Sequence, residues 1–364
     1  MLMMNGALLA CFLSLVFTPL VIWLCHRRGW YDRLDSRKIH TGRIPRLGGI
    51  AIFASFAFAF VAGSLLGVGN RNGQTWTGEF LPVTLAVIAV FIAGLVDDFR
   101  PVRARYKFII QLIAAIVVVS AGFHFRYLVL PFAPYQVEFG WFGYPLSVVW
   151  IVGITNAINM IDGMDGLSGG IAMIAAGVYG MLYSGIGSQV PGLLAFSLAG
   201  AVIGYLFFNL PPARIFLGDA GAYFIGFMLA VLPLLHKGQY TETFGIMGAI
   251  TVLVVPVFDV FAAIWRRLRD KRSVMDPDRS HLHHKLMSLG FSTRQILAIV
   301  YASCLFLGAI AISALYLPPA WSFALMIGAW IIFSALFGVL HVLRSRDTVL
   351  IRRESLDDDA NCQG

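Results

Sequence analysis

Residues 145 to 170 read PLSVVWIVGITNAINMIDGMDGLSGG. As far as Thr155 the stretch is apolar and uncharged. Beyond it, Asn156, Asn159, Asp162 and Asp165 fall three residues apart, with Gly163, Gly166, Gly169 and Gly170 interleaved. A spacing of three advances about 300° on an α-helix, so four such groups spread across roughly half its circumference. The pattern reads as a helix whose end carries the two amides, opening through glycine into a loop that carries the two carboxylates. A greasy helix with chemistry gathered at one end sets the fold class, and the rest of the chain repeats that theme.

The 364 residues are 59% hydrophobic and only 13% charged, with a mean hydropathy of +0.79. That balance excludes an ordinary soluble globule and predicts an all-α polytopic membrane protein. A crossing needs about 20 apolar residues. On that rule ten to eleven crossings are expected, several of the eleven windows being short or Gly-interrupted: 5–25, 47–68, 80–96, 106–123, 146–161, 169–185, 191–208, 221–236, 245–265, 293–316 and 321–342. The first window lacks a basic leader and is followed by basic residues, so it is expected to be a retained span with its N-terminus outside. Residues 1–342 then form one membrane domain, and 343–364 a mixed-charge cytoplasmic tail expected to be disordered. Cys11, Cys25, Cys304 and Cys362 show no metal or redox spacing.

With the N-terminus outside, 24 of the 27 Lys and Arg residues fall in loops on the inner side, leaving Arg71, Arg126 and Lys237 outside. The split assigns the cytoplasmic face. It also accounts for the net charge of +8 without nucleic acid, since no basic stretch is interleaved with stacking aromatics.

Every other purposeful polar cluster lies at a cytoplasmic span end. LVDDFRPVRARYK (95–107) ends the third window with Asp97 and Asp98; adjacent carboxylates repel, so at least one is expected to have a raised pKa unless a cation sits between them, and the plainer reading is a solvated span end whose acids pair with Arg100, Arg103 or Arg105. Acids at a membrane edge are functional candidates by default. FNLPPARIFLGDAGAYFIG (208–226) sets Asp219 between glycines at a helix start, where an N-cap and a metal ligand are compatible roles. In the basic loop around DPDRSHLHHKL (276–286), His281, His283 and His284 lack the i, i+4 pair of a zinc protease, and with Arg279 and Lys285 beside them they suit phosphate. Oxygen ligands suit Mg²⁺, which takes one or two carboxylates plus substrate phosphates. Cations supply charge-assisted bonds to a diphosphate. No G-x-x-x-x-G-K-[ST] loop is present.

The motifs LVDDF (95–99), NAINMIDGMDGL (156–167), FLGDAGA (216–222) and DPDRSHLHHKL (276–286), in this order, resemble the polyprenyl-phosphate N-acetylhexosamine-1-phosphate transferases. The SHLHH loop and SRKIHTGRIPRLGG (36–49) look most like the branch that uses UDP-N-acetylglucosamine, and less like the muramoyl-pentapeptide branch. The resemblance implies transfer of a sugar 1-phosphate from a UDP-sugar to undecaprenyl phosphate, releasing UMP, at the bacterial inner membrane, with Mg²⁺ (or Mn²⁺ substituting) and a homodimeric habit. Such a step opens O-antigen, enterobacterial common antigen or teichoic-acid linkage synthesis. It implies Asp97 as the base, Asp98 as its partner or a covalent nucleophile, and Asp219 and Asn159 as metal ligands. It places Asp162 and Asp165 as further acidic catalytic positions. Asn156, Asn209, Phe216, Arg279, His281, His283, His284, Lys38 and Arg46 are implied at the substrate. A nucleotide-sugar transporter is the rival class; its site would lie mid-membrane between repeated halves, whereas these clusters sit at one face and do not repeat.

Overall fold

An apolar chain in which glycine and proline mark the breaks folds into successive helices; ten of the eleven windows land on one helix each and the window 245–265 on two. The computed structural model describes residues 2–31, 44–66, 78–130, 136–235, 240–271 and 281–339. Lys38, Arg279, Cys362 and the tail from 343 lie outside the described residues. In chain order the helices are α1 (Leu2–Arg28), α2 (Gly48–Leu65), α3 (Leu81–Phe99), α4 (Ala104–Ser120), α5 (Gly143–Ile161), α6 (Leu167–Gly185) and α7 (Gln189–Asn209). They continue as α8 (Gly218–Val231), α9 (Tyr240–Val252), α10 (Val254–Arg269), α11 (Leu282–Ser288) and α12 (Thr293–Ser313), and α13 (Pro319–Val339). Among the described residues, eight helices are long and apolar enough to cross a membrane, nine if the bent pair α9–α10 counts as one.

The crossing count differs from the sequence expectation for two physical reasons. The helices α4 and α8, at 17 and 14 residues, are short for a crossing of about 20. The window 245–265 is not one straight span: α9 and α10 meet at 85°. Pro256 explains the break, since its ring would clash with the carbonyl of Val252, the last residue of α9. Gly245, at φ 32° and ψ −145°, adds a second kink inside α9. A small hairpin, also unforeseen, joins α4 to α5: β1 (Tyr127–Val129) pairs antiparallel with β2 (Gln136–Glu138), Leu128 opposite Val137.

The centre of the molecule is α8, all of whose residues are buried. A helix apolar all round has no solvent face and belongs in the interior. Phe224 packs edge-on to Phe53 and Phe56 of α2 (both 5.2 Å) and to Phe91 of α3 (6.4 Å), and Phe53 stacks on Phe91 at 4.0 Å. Each such pair contributes about 0.5–1.5 kcal/mol beyond area burial. The far end of α8 is tied down by side chains from other helices: Trp150 donates its indole N–H to the Ala230 carbonyl at 3.0 Å, and Tyr183 donates to the Leu232 carbonyl. Outward faces of α1, α3 and α4 carry exposed Phe12, Ile92 and Ile113, as a lipid-facing surface should.

Candidate active site

The C-terminal ends of α3, α5 and α7 and the N-terminal ends of α4, α6 and α8 gather at one end of this bundle, together with the segment before α2. Two backbone approaches assemble them. The Phe216 N–H donates to the Pro45 carbonyl (2.8 Å), while Gly48 and Gly49 donate to the carbonyls of Phe216 and Leu217 (3.0 and 2.9 Å). A Cβ on Gly49 would stand 2.2 Å from the Gly221 nitrogen, so only glycine permits this approach. RLGG is thereby strapped to FLGDAG, which delivers Arg46 to Asp219.

Around Asp219 the charges interlock. Arg46 donates through a guanidinium nitrogen to Asp219 Oδ1, with its Nε 3.5 Å from Asp98 Oδ1. The Lys107 ammonium bridges two carboxylates, 2.9 Å from Asp219 Oδ2 and 3.1 Å from Asp97 Oδ2. It also lies 5.7 Å from the ring centroid of Tyr223, one turn along α8. Asp97 accepts in addition from the Val102 N–H at 2.7 Å, which closes the turn between α3 and α4. Asp98 faces the other way: its two oxygens accept the N–H groups of Asp219 (2.8 Å) and Ala220 (3.0 Å). A carboxylate here satisfies donors that the first turn of a helix leaves unpaired and meets the positive end of its dipole. The partners of the plainer reading, Arg100, Arg103 and Arg105, are exposed and bond to neither acid among the described residues. Lys107 and Arg46 take that place. Lys107 could be singled out in the sequence only as a lysine facing an otherwise apolar helix.

The loop after α5 is built differently. Asp162 caps α5 and accepts from the Ser168 hydroxyl; desolvation at this half-buried position pushes its carboxyl up to about 6, the hydroxyl bond working against that rise. Arg46, Asp219 and Asp165 all act on it electrostatically. Asp165 accepts from the Ala213 N–H at 3.0 Å. Asn209 accepts from the Gly166 N–H (3.0 Å) and donates to the Ile215 carbonyl (2.8 Å), so its amide laces two loops together. Asn156 donates to Gln111 on α4 at 2.6 Å and to its own helix. Asn159, half-buried, has no side-chain partner among the described residues. Gly166, at φ 77°, starts α6 in a left-handed conformation, and its carbonyl accepts from the Tyr301 hydroxyl of α12 at 2.5 Å.

The histidines arrive over this loop on α11. A Cβ on Gly163 would lie 3.2 Å from His283 Nε2. That nitrogen is buried and without a hydrogen-bond partner among the described residues. Burial, reinforced by His284, pulls the His283 imidazole down to about 4, so it is neutral near pH 7 and offers a hydrogen bond rather than a charge. His284 leans on it at 4.2 Å. His281 is held from behind by Asp259 of α10, a buried acid that the sequence reading did not single out. Phe216 is half-buried beside the strap.

Chemically, three carboxylates and two cations meet where a helix N-terminus points. Oxygens of Asp97 and Asp219 converge on one cationic nitrogen, as they would on a small metal ion. No closed cage of three His, Cys, Asp or Glu ligands is present among the described residues. An open site of one or two carboxylates, completed by substrate phosphate oxygens, is what Mg²⁺ takes, so the donor set fits that ion.

The comparisons agree with this architecture. Residues 80–237 match the model of the family described as glycosyl transferase family 4. A probable undecaprenyl-phosphate N-acetylglucosaminyl 1-phosphate transferase of Bacillus subtilis is 37% identical over 79% of this chain and 78% of its own length. A decaprenyl-phosphate N-acetylglucosaminephosphotransferase of Mycobacterium tuberculosis is 32% identical over 93% and 89%. The undecaprenyl-phosphate alpha-N-acetylglucosaminyl 1-phosphate transferase of Escherichia coli is 28% identical over 84% of each chain. By this coverage and identity, and with its charged cluster inside the matched segment apart from Arg46, the chain belongs to glycosyl transferase family 4, alongside these polyprenyl-phosphate N-acetylglucosaminyl 1-phosphate transferases.

Proposed function

We propose that the protein transfers N-acetylglucosamine 1-phosphate from its UDP derivative to undecaprenyl phosphate, releasing UMP, at the cytoplasmic face of a bacterial inner membrane. The observation that carries this reading is the Asp97–Lys107–Asp219–Arg46 cluster, set at one end of the bundle.

Asp97 takes the proton from the lipid phosphate, whose oxygen then attacks the β-phosphorus in line. The new P–O bond forms as the bond from the β-phosphorus to the bridging oxygen breaks, and UMP leaves with that electron pair. Arg46 and Lys107 offset the charge that gathers on the diphosphate, which is where phosphoryl transfer gains most of its rate. Asp219 would hold Mg²⁺, with the amide oxygen of Asn159 as a further donor. The ion when bound supplies Lewis-acid neutralisation of the diphosphate. Asp98, with both oxygens given to the first turn of α8, is a positioning group for Asp219 in this scheme and not a covalent nucleophile. Eleven crossings, counting α4, α8 and the bent pair, with the N-terminus outside, complete the topology.

The test is a reaction of purified protein with UDP-N-acetylglucosamine and undecaprenyl phosphate, reading the lipid product by mass spectrometry, with and without EDTA. Lipid-linked sugar phosphate, lost with EDTA and restored by Mg²⁺, is expected. Full activity after complete metal removal would overturn the metal assignment. Uptake of the labelled UDP-sugar into sealed vesicles without a lipid product would favour transport and remove the enzyme reading.

A further inference from the structure

Asp259 lies in α10, 2% exposed, a carboxylate inside a helix that otherwise carries apolar residues and arginines. Burying such a group costs several kcal/mol unless it is fully bonded. Both of its oxygens are used. Oδ2 is 2.8 Å from His281 Nδ1, and Oδ1 accepts the Leu282 N–H at 2.8 Å. The two bonds fall on consecutive residues, at the N-cap and the first position of α11. One acid thus caps the short helix and grips the ring beside it.

The three histidines are consequently unequal. His283 is buried, neutral and lies against Gly163. His284 is half-buried and packs on His283. His281 has a carboxylate behind it, that of Asp259. A ring whose Nδ1–H is committed to a carboxylate is locked in tautomer and orientation, and its Nε2 becomes the atom left for a ligand. His283 Nε2, by contrast, is sealed and without a hydrogen-bond partner among the described residues. The parallel with α8 is close: there Asp98 caps the helix whose next residues carry Asp219, and here Asp259 caps the helix whose N-cap is His281.

We infer that Asp259 is a positioning residue for the transfer reaction: it holds His281 so that Nε2 faces the nucleotide-sugar diphosphate, while His283 packs against Gly163. This rests on the function proposed above. With Nδ1–H donated to Asp259, Nε2 is the ring atom left to meet the diphosphate. Asp259→Asn can keep the Leu282 cap through its carbonyl oxygen, but it presents an N–H₂ to Nδ1 and turns the tautomer over.

The experiment compares kcat and KM for UMP release in wild type, Asp259→Asn, His281→Ala and the double variant, alongside UDP-N-acetylglucosamine affinity in the purified proteins. Asp259→Asn is expected to lower kcat/KM by about 10- to 100-fold, the scale of outer-sphere partners of a functional histidine, with a melting temperature close to wild type. The double variant is expected to be no worse than His281→Ala alone. Wild-type-like turnover in Asp259→Asn, or losses that multiply in the double variant, would overturn the inference and leave Asp259 a packing residue. Should Asp259→Asn fail to accumulate, His281→Gln and His281→Asn serve instead with Asp259 intact. The glutamine, whose amide reaches to the Nε2 position, is expected to retain more activity than the asparagine, and the reverse order would overturn the inference. If wild type itself makes no lipid product yet binds the UDP-sugar, the functional reading fails. The affinity arm then still reports whether Asp259 acts through His281.

Discussion

Asp98 and Asp97 are neighbours in sequence with opposite duties. Asp97 looks toward Lys107 and the open site, while Asp98 turns into the backbone of α8. Removing the Asp98 carboxylate leaves two buried N–H groups unpaired, at roughly 1–3 kcal/mol each. Thermal unfolding of Asp98→Ala in detergent should therefore show a clear loss of stability together with lost turnover. An unchanged melting temperature would contradict the cap. Asp162 makes the reverse prediction. Its folded carboxyl, raised to about 6 from an ordinary 3.8, binds a proton more tightly folded than unfolded. Stability from this group is therefore lost as pH rises from about 4 to about 6, and the penalty persists above that. Asp162→Asn is expected to melt higher than wild type at pH 7.5 and by clearly less at pH 4.5; a gain equal at both pH values would contradict the assignment. The acids at helix ends were legible because carboxylates are rare in such a chain. Lys107 was not, since it looks like one more inside-positive charge, and Asp259 was not, since its histidine partner lies 22 residues away.

At the scale of elements, the glycines of NAINMIDGMDGLSGG do more than free a loop. Gly170 leaves room for the Tyr301 ring, which would lie 2.0 Å from a Cβ placed there, and the same tyrosine reaches the Gly166 carbonyl. Glycine here is the contact surface between α6 and α12. Gly170→Ala should push α12 away at a cost of about 1–3 kcal/mol, typical of overpacking. Combining it with Tyr301→Ala should restore part of the loss in a melting experiment, and full additivity of the two losses would contradict the contact. The sequence spacing showed a helix ending and a loop beginning, which α5 and α6 bear out. It could not show which side chain fills the gap, because Tyr301 comes from more than a hundred residues on. The 85° turn between α9 and α10 was hidden for a related reason: hydropathy is continuous across it, and only Pro256 marks it.

For the whole molecule, hydropathy alone was enough to give a helical membrane protein, since lipid leaves few other ways to satisfy a backbone. Crossing number was less legible, because α8 owes its apolar character to burial in protein. The proposed orientation is checked by single cysteines at exposed Arg100 and Arg126 in a background without native cysteines. An impermeant thiol reagent should label position 100 only in inside-out vesicles and position 126 only in right-side-out ones; the opposite pattern would reverse the topology. The central claim is that the charges joined at α3, α4 and α8 perform phosphoryl transfer to a lipid. Its most direct test is UMP release from UDP-N-acetylglucosamine and undecaprenyl phosphate by wild type and Asp219→Asn, measured side by side on protein of matched folding. The account predicts a fall of at least about 100-fold, the scale of removing a preorganised electrostatic group. Turnover within a few-fold of wild type would contradict it.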